Sequence, residues 1–134
     1  MEREETYSVI DDEIILSRFH AYHDKLTYFA RLTIGLYLLR NRGHVTIREL
    51  AEFLYGDKED FQRYYRMLYN SFKTYKTDGR FDVEDNKIKL ANNYRAKECI
   101  AYLLRKYLNL DVNIKNIDID IIPKRLSKEV ENER

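Results

Sequence analysis

Thr46-Ile47-Arg48-Glu49-Leu50-Ala51-Glu52-Phe53-Leu54 opens the part of the chain whose reading decides the fold. Thr46 followed three residues later by Glu49 is a capping box, in which hydroxyl and carboxylate each accept from the other residue's exposed amide. Leu50, Ala51 and Leu54 give the ensuing helix an apolar stripe, and Gly56-Asp57 breaks it. A second helix is expected from Asp57 or Lys58 to near Lys76, with Phe61, Tyr65, Leu68 and Phe72 on one face. Gly79 then leads into Arg80-Phe81-Asp82-Val83 and Lys87-Ile88-Lys89-Leu90. These two alternating runs, joined by Glu84-Asp85-Asn86, read as a hairpin.

Working outward, the flanks are helical. From about Asp12 to Arg42, Ile15, Phe19, Tyr22, Leu26, Phe29, Thr33 and Leu36 recur at spacings of four and three, a heptad-like seam. The pattern fits one bent helix or two helices broken near His23-Asp24. Leu32 to Leu39 is apolar on nearly every side, as in a buried helix, with Gly35 suited to a close helix contact and Gly43 to a C-terminal cap. On the other flank, Asn92 or Asn93 can cap a helix over about Tyr94 to Asn109, where Ala96, Ile100, Leu103, Tyr107 and Leu110 repeat the spacing. Val112, Ile114, Ile117, Ile119 and Ile121 then alternate with polar residues, which predicts a strand pair slipping phase at Lys115-Asn116 and ending at Pro123. One domain over residues 1–126 is expected, with 127–134 a charged, flexible tail.

An apolar share of 44% in 134 residues suffices for one core. No apolar run is long enough to span a bilayer. The acidic opening Met1-Glu2-Arg3-Glu4-Glu5 is unlike a signal peptide, and single Cys99 has no internal disulfide partner. These features point to a cytoplasmic, reduced location and no membrane partner. The net charge of +1 does not by itself announce nucleic-acid binding. Its distribution is more informative: from Phe61 to Thr77 there is no acid, while Arg63, Arg66, Lys73 and Lys76 supply positive charge.

The capped run Thr46 to Leu54 resembles the first helix of the helix-turn-helix in winged-helix transcriptional regulators. Gly56 matches the turn, Phe61, Tyr65 and Leu68 match the apolar anchors of the recognition helix, and Phe81 to Leu90 resembles the wing. The flanking helices resemble the dimerisation helices of small archaeal and bacterial regulators. The resemblance covers residues 46–90 and speaks to fold more than to function. It implies a mainly α chain with a small β-hairpin wing, a winged helix-turn-helix core flanked by helices at about 12–42 and 94–109. It further implies sequence-specific binding of double-stranded DNA as a homodimer that regulates transcription. Two departures stand out: Tyr65 occupies a position where Leu is common, and the wing tip Glu84-Asp85-Asn86 carries acids that phosphate would repel. A protein-binding adaptor built on the same motif is the alternative.

Helical geometry names the contact residues. With Phe61, Tyr65, Leu68 and Phe72 inward, Glu59, Gln62, Arg63, Arg66, Asn70 and Lys73 face outward. Arg63 and Gln62 suit guanine and adenine edges. Lys73 and Lys76 suit phosphates, Arg48 and Lys58 flank the turn, and Lys87 and Lys89 reach from the wing. The seams through Phe19, Leu26 and Phe29 and through Ile100, Leu103 and Tyr107 are the reason to expect two chains.

Other constellations read as ordinary surface or packing. His20, His23, Asp24 and Glu13 lack the tight spacing or second Cys of a metal site. His44 is expected on a loop surface, Cys99 has no base nearby in sequence, and Tyr64 and Tyr69 are expected to pack at the helix flanks rather than stack on bases. With no glycine-rich phosphate loop and no nucleophile elbow, no enzyme, cofactor or metal is expected.

Overall fold

In the computed structural model, which describes residues 10–119, most helices begin where the sequence supplies a capping side chain. Asp11 caps α1 (Asp12–Ala21), accepting from the Glu13 amide at 2.9 Å. Thr27 caps α2 (Tyr28–Leu38), accepting from the Ala30 amide at 3.1 Å. The reciprocal Thr46–Glu49 box starts α3 (Ile47–Tyr55) with bonds of 2.8 and 3.0 Å, and the Thr46 amide holds the Glu49 carboxyl below the usual carboxylate range. Asn93 caps α5 (Tyr94–Leu108), accepting from the Ala96 amide at 2.9 Å. A single-turn 3-10 segment at His23–Lys25 breaks the region where the sequence allowed a break, so it is two helices, and a second 3-10 turn at Arg40–Arg42 follows the later helix and ends at Gly43 with φ 76.

Between α3 and α4 (Phe61–Lys76) the chain turns tightly. The Lys58 amide reaches the Tyr55 carbonyl and the Phe61 amide the Lys58 carbonyl, so α4 begins at Phe61 rather than at Asp57 or Lys58. A Cβ on Gly56 would lie 2.5 Å from the Glu52 carbonyl oxygen, a clash with backbone that only glycine avoids. Strands β2 (Phe81–Glu84) and β3 (Lys87–Leu90) pair with Phe81 opposite Leu90 and Val83 opposite Ile88. Asp85 makes the two-residue connection at φ 53. Sequence reading missed a third strand, β1 (Val45–Thr46), which pairs with β3 to give the order β1-β3-β2. At two residues it is too short to show a period; the capping threonine also serves as its last residue.

Helix α2 runs through the middle. Every residue from Leu32 to Tyr37 is buried, and it packs on α1, α3, α5 and β3. A Cβ on Gly35 would sit 2.6 Å from Leu54 Cδ2, so glycine sets the close approach of α2 and α3. The heptad-like seams belong to this same core. Ile15, Phe19, Leu26, Ile100 and Leu103 are all buried within one chain, and Phe29 and Tyr107 are half-buried against it. Those residues therefore serve the fold of a single chain, while Tyr22 of the same seam is exposed.

The expected C-terminal strand pair is absent among the described residues. From Leu110 to Ile119 the chain is an irregular strap with a 3-10 turn at Ile114–Asn116, where the phase slips. Val112, Ile117 and Ile119 are buried, so the alternation records one-sided burial without a ladder. Side chains hold the strap instead: Arg105 Nη1 donates to the Val112 carbonyl at 2.9 Å, Arg40 Nε donates to that of Asp118, and the Asp118 amide faces the Tyr37 hydroxyl at 3.5 Å. Ile121, Pro123 and the 127–134 tail lie outside the described residues. Among the described residues no helix is long and apolar enough to cross a membrane.

Candidate nucleic-acid interface

Helix α4 is split lengthwise. Its inner side buries Leu68, Phe72 and Tyr75, with Phe61, Tyr64 and Tyr65 half-buried beside them. Aromatic pairs fix it to the body: Tyr64 stacks on Tyr55 with centroids 4.0 Å apart, and Tyr75 meets Phe81 edge-on at 4.9 Å. The Tyr28 hydroxyl lies 3.3 Å from Ser71 Oγ, and burial pushes that phenol up to about 12. A helix clamped at several points presents its outer side as a rigid surface.

On that outer side Gln62, Arg66, Tyr69, Lys73 and Lys76 follow at spacings of four, three, four and three, so they form one stripe along the helix. All five are exposed. The stripe is roughly 20 Å long at 1.5 Å per residue. Among the described residues Arg66, Lys73 and Lys76 have no acid within ion-pair distance, and Asn70 borders them with its amide unbonded. The three cations thus face solvent with their charge uncompensated.

Most of the other expected contact residues are engaged. Arg63 lies 3.2 Å from the Asp60 carboxylate and its guanidinium sits 4.7 Å above the Tyr64 ring. Arg48 pairs with Glu52 at 3.3 Å and covers the rings of Phe61 and Tyr65, which places it beside the first turn of α4. Lys58 reaches Asp24 at 3.7 Å. Lys87 and Lys89 stand on the hairpin with Glu84 and Asp82 as their register partners, and His44 adds a contact of 3.5 Å to Asp82. The hairpin's outer face therefore alternates charge, unlike the stripe on α4.

Tyr64 packs at the flank as expected, whereas Tyr69 does not. It is 64% exposed in the middle of the stripe. The signal that finds it is the four-three spacing of Gln62, Arg66, Lys73 and Lys76, which has a vacancy only Tyr69 fills. His23 is buried, its Nε2 is 2.8 Å from the Leu54 carbonyl at the end of α3, and it lies edge-on to Phe19 and Tyr55. No cluster of three or more His, Cys, Asp or Glu is placed to hold a metal among the described residues. No protein-family model matches the chain, and comparison with curated proteins and with solved structures finds no significant match.

Proposed function

We propose that residues 46–90 form a winged helix-turn-helix, that α4 enters the major groove of double-stranded DNA, and that the chain acts as a sequence-specific transcriptional regulator. The observation that carries this reading is the uncompensated stripe on α4: three cations and one tyrosine, with no acid between Phe61 and Thr77. A solvated helix face normally intersperses signs. The first part of the stripe offers groups that discriminate bases. Gln62 and Asn70 match adenine, and Arg66, free of any ion pair among the described residues, matches guanine better placed than Arg63, which Asp60 already holds. Lys73 and Lys76, farther along, meet phosphates, while Arg48 and Lys58 steady the turn against the backbone. Tyr69 adds a ring that can lie against a thymine methyl or a sugar.

A palindromic site implies two chains per site, a homodimer. With the core seams used within one chain, that pairing relies on another surface, and sedimentation at micromolar concentration measures it. A second reading, an adaptor that docks a protein partner, has its own support in the charge-balanced hairpin and its acidic tip, which do not favour phosphate. Selection of duplexes from a random pool decides between the two. A recovered consensus, with retention on a nonspecific duplex at low salt, is the expected outcome. Absence of both would leave the adaptor.

A further inference from the structure

A second cationic surface lies apart from the α4 stripe. Arg80, Arg95, Glu98, Cys99, Tyr102 and Arg105 line a groove of about 440 Å³ between the turn before β2 and the outer face of α5. Two of its three guanidiniums are held in place by the protein through one edge. Arg80 gives Nε and Nη2 to the two oxygens of Asp78 at 3.0 and 2.7 Å and lies 5.0 Å above the Phe29 ring. That leaves Nη1 turned toward Cys99 Sγ at 3.6 Å, a weak acceptor for a strong donor. Arg105 gives Nη1 to the Val112 carbonyl at 2.9 Å, so its remaining nitrogens are available. Arg95 is exposed and folds over Gly79, whose missing side chain leaves room for its Nη1. Asp78 is occupied by Arg80, and Glu98 is the one acid in the lining.

We propose that this groove is an anion site that takes a phosphate group, bound by the open edges of Arg80 and Arg105 with Arg95 closing over it. Three guanidiniums exceed what a carboxylate's two oxygens can engage and match the several acceptor oxygens of a phosphate. Holding the Arg80 and Arg105 guanidiniums beforehand lowers the ordering cost of binding. Tyr102 forms a wall against which the rest of a phosphate ester can lie. The phosphate can belong to a free small ester or to a nucleic-acid backbone. The site stands whether or not α4 binds DNA.

Cys99 supplies the reporter, since it is a free, half-buried thiol in the lining. Its alkylation rate is measured in inorganic phosphate, in a nucleoside monophosphate and in chloride of equal ionic strength, with a short duplex as a fourth arm. Phosphate at ten times its Kd should slow labelling by about tenfold, the free-site fraction that simple occupancy leaves. Direct titration calorimetry of phosphate should return the same Kd. Arg95 is exposed and makes no hydrogen bond among the described residues, which makes it the position to change: Arg95→Gln should abolish most of the protection, and Glu98→Gln should strengthen it. Protection by small phosphates assigns a free ester, and protection by the duplex alone assigns a backbone phosphate. Equal rates in all arms, or protection unchanged in Arg95→Gln, would overturn the proposal. Phosphate protection without any duplex binding would keep this site and remove the DNA reading of α4.

Discussion

On the side of the molecule built from α1, α2 and α5, arginines donate to backbone carbonyls; on the outer side of α4, Arg66, Lys73 and Lys76 donate to nothing among the described residues. Arg18 Nη1 reaches the carbonyls of Leu108 and Asn109 at 2.9 Å each, and Arg31 Nη1 those of His23 and Leu26 at 3.1 and 2.8 Å. Arg40 Nη1 reaches the Tyr37 carbonyl at 2.8 Å and Asp12 Oδ2 at 2.9 Å. Most of these carbonyls lie at helix ends, where the last turn leaves oxygens without amide partners. A positive charge there also meets the negative end of the helix dipole. Positive side chains are thus structural on one side and uncommitted on the other, and a net charge of +1 conceals the difference. The two sides must therefore fail differently when altered: the first in stability, the second in binding.

The largest effect is expected at Leu103, which is 4% exposed. Leu103→Glu buries a carboxylate in the core and should cost about 4 kcal/mol, unfolding much of the protein at moderate temperature. Urea titration measures the loss. A variant that stays fully folded and sediments as a monomer, beside a dimeric parent, would break the comparison, because it would return α5 to a subunit interface.

Arg40 comes next. Its side chain is 5% exposed, and its guanidinium lies 4.0 Å above the Tyr37 ring. Arg40→Ala removes the donors that hold the strap and leaves the Tyr37 and Asp118 carbonyls without them, so about 3 kcal/mol should be lost. Arg40→Lys should recover only part, since an ammonium cannot span both carbonyls and Asp12 with one rigid fork. Duplex affinity of the folded fraction should be unchanged. A matching loss of affinity would mean that the structural side also contacts DNA.

Much of this contrast could be read in advance where periodicity was long or a cap was specific. The Thr46–Glu49 box, the inward line of Phe61, Leu68 and Phe72, and the hairpin register all follow from spacing alone. Two kinds of feature could not be. Apolar spacing shows that Phe19 and Leu103 are buried but not by which chain, so core seams look identical to dimer seams. Likewise, alternation from Val112 to Ile119 shows one-sided burial but not hydrogen bonding, and a strap held by arginines imitates a strand. In the candidate interface, outward direction was legible, but engagement was not. Asp60 precedes the acid-free run by one position and still captures Arg63 from the turn.

That capture sharpens the next test. Arg66→Ala should cost about 1–3 kcal/mol of specific binding and relax preference at one base pair. Arg63→Ala should lose severalfold less, because its guanidinium already has a carboxylate and a ring as partners. Lys73→Ala should weaken all duplexes alike and lower the salt slope by roughly one. All three should leave stability within about 0.5 kcal/mol, as for surface positions generally. Titrations on specific and random duplexes at several salt concentrations distinguish them. If Arg63→Ala is the more damaging change, base reading lies closer to the turn than the stripe suggests.

The smallest effect belongs to the hairpin tip, where the charge pattern is least like that of α4. Glu84 stands opposite Lys87 and Asp82 opposite Lys89, so each cation has an acid as its cross-strand neighbour. Asp85 projects from the connection at φ 53, a conformation that asparagine also tolerates, so Asp85→Asn keeps the turn. If the tip approaches phosphate, Glu84→Gln with Asp85→Asn should tighten duplex binding by a few fold at low salt. The gain should fade as salt rises, since the Debye length shrinks from about 10 Å at 0.1 M to about 3 Å at 1 M. If the tip points away from DNA, the double change should do almost nothing at any salt, and the helix alone would carry recognition. A loss of affinity on neutralising both acids would be the damaging result. It would mean that the carboxylates make a contact the complex needs, to a base amino group or to a protein, and a tip built to meet a protein favours the adaptor over the regulator.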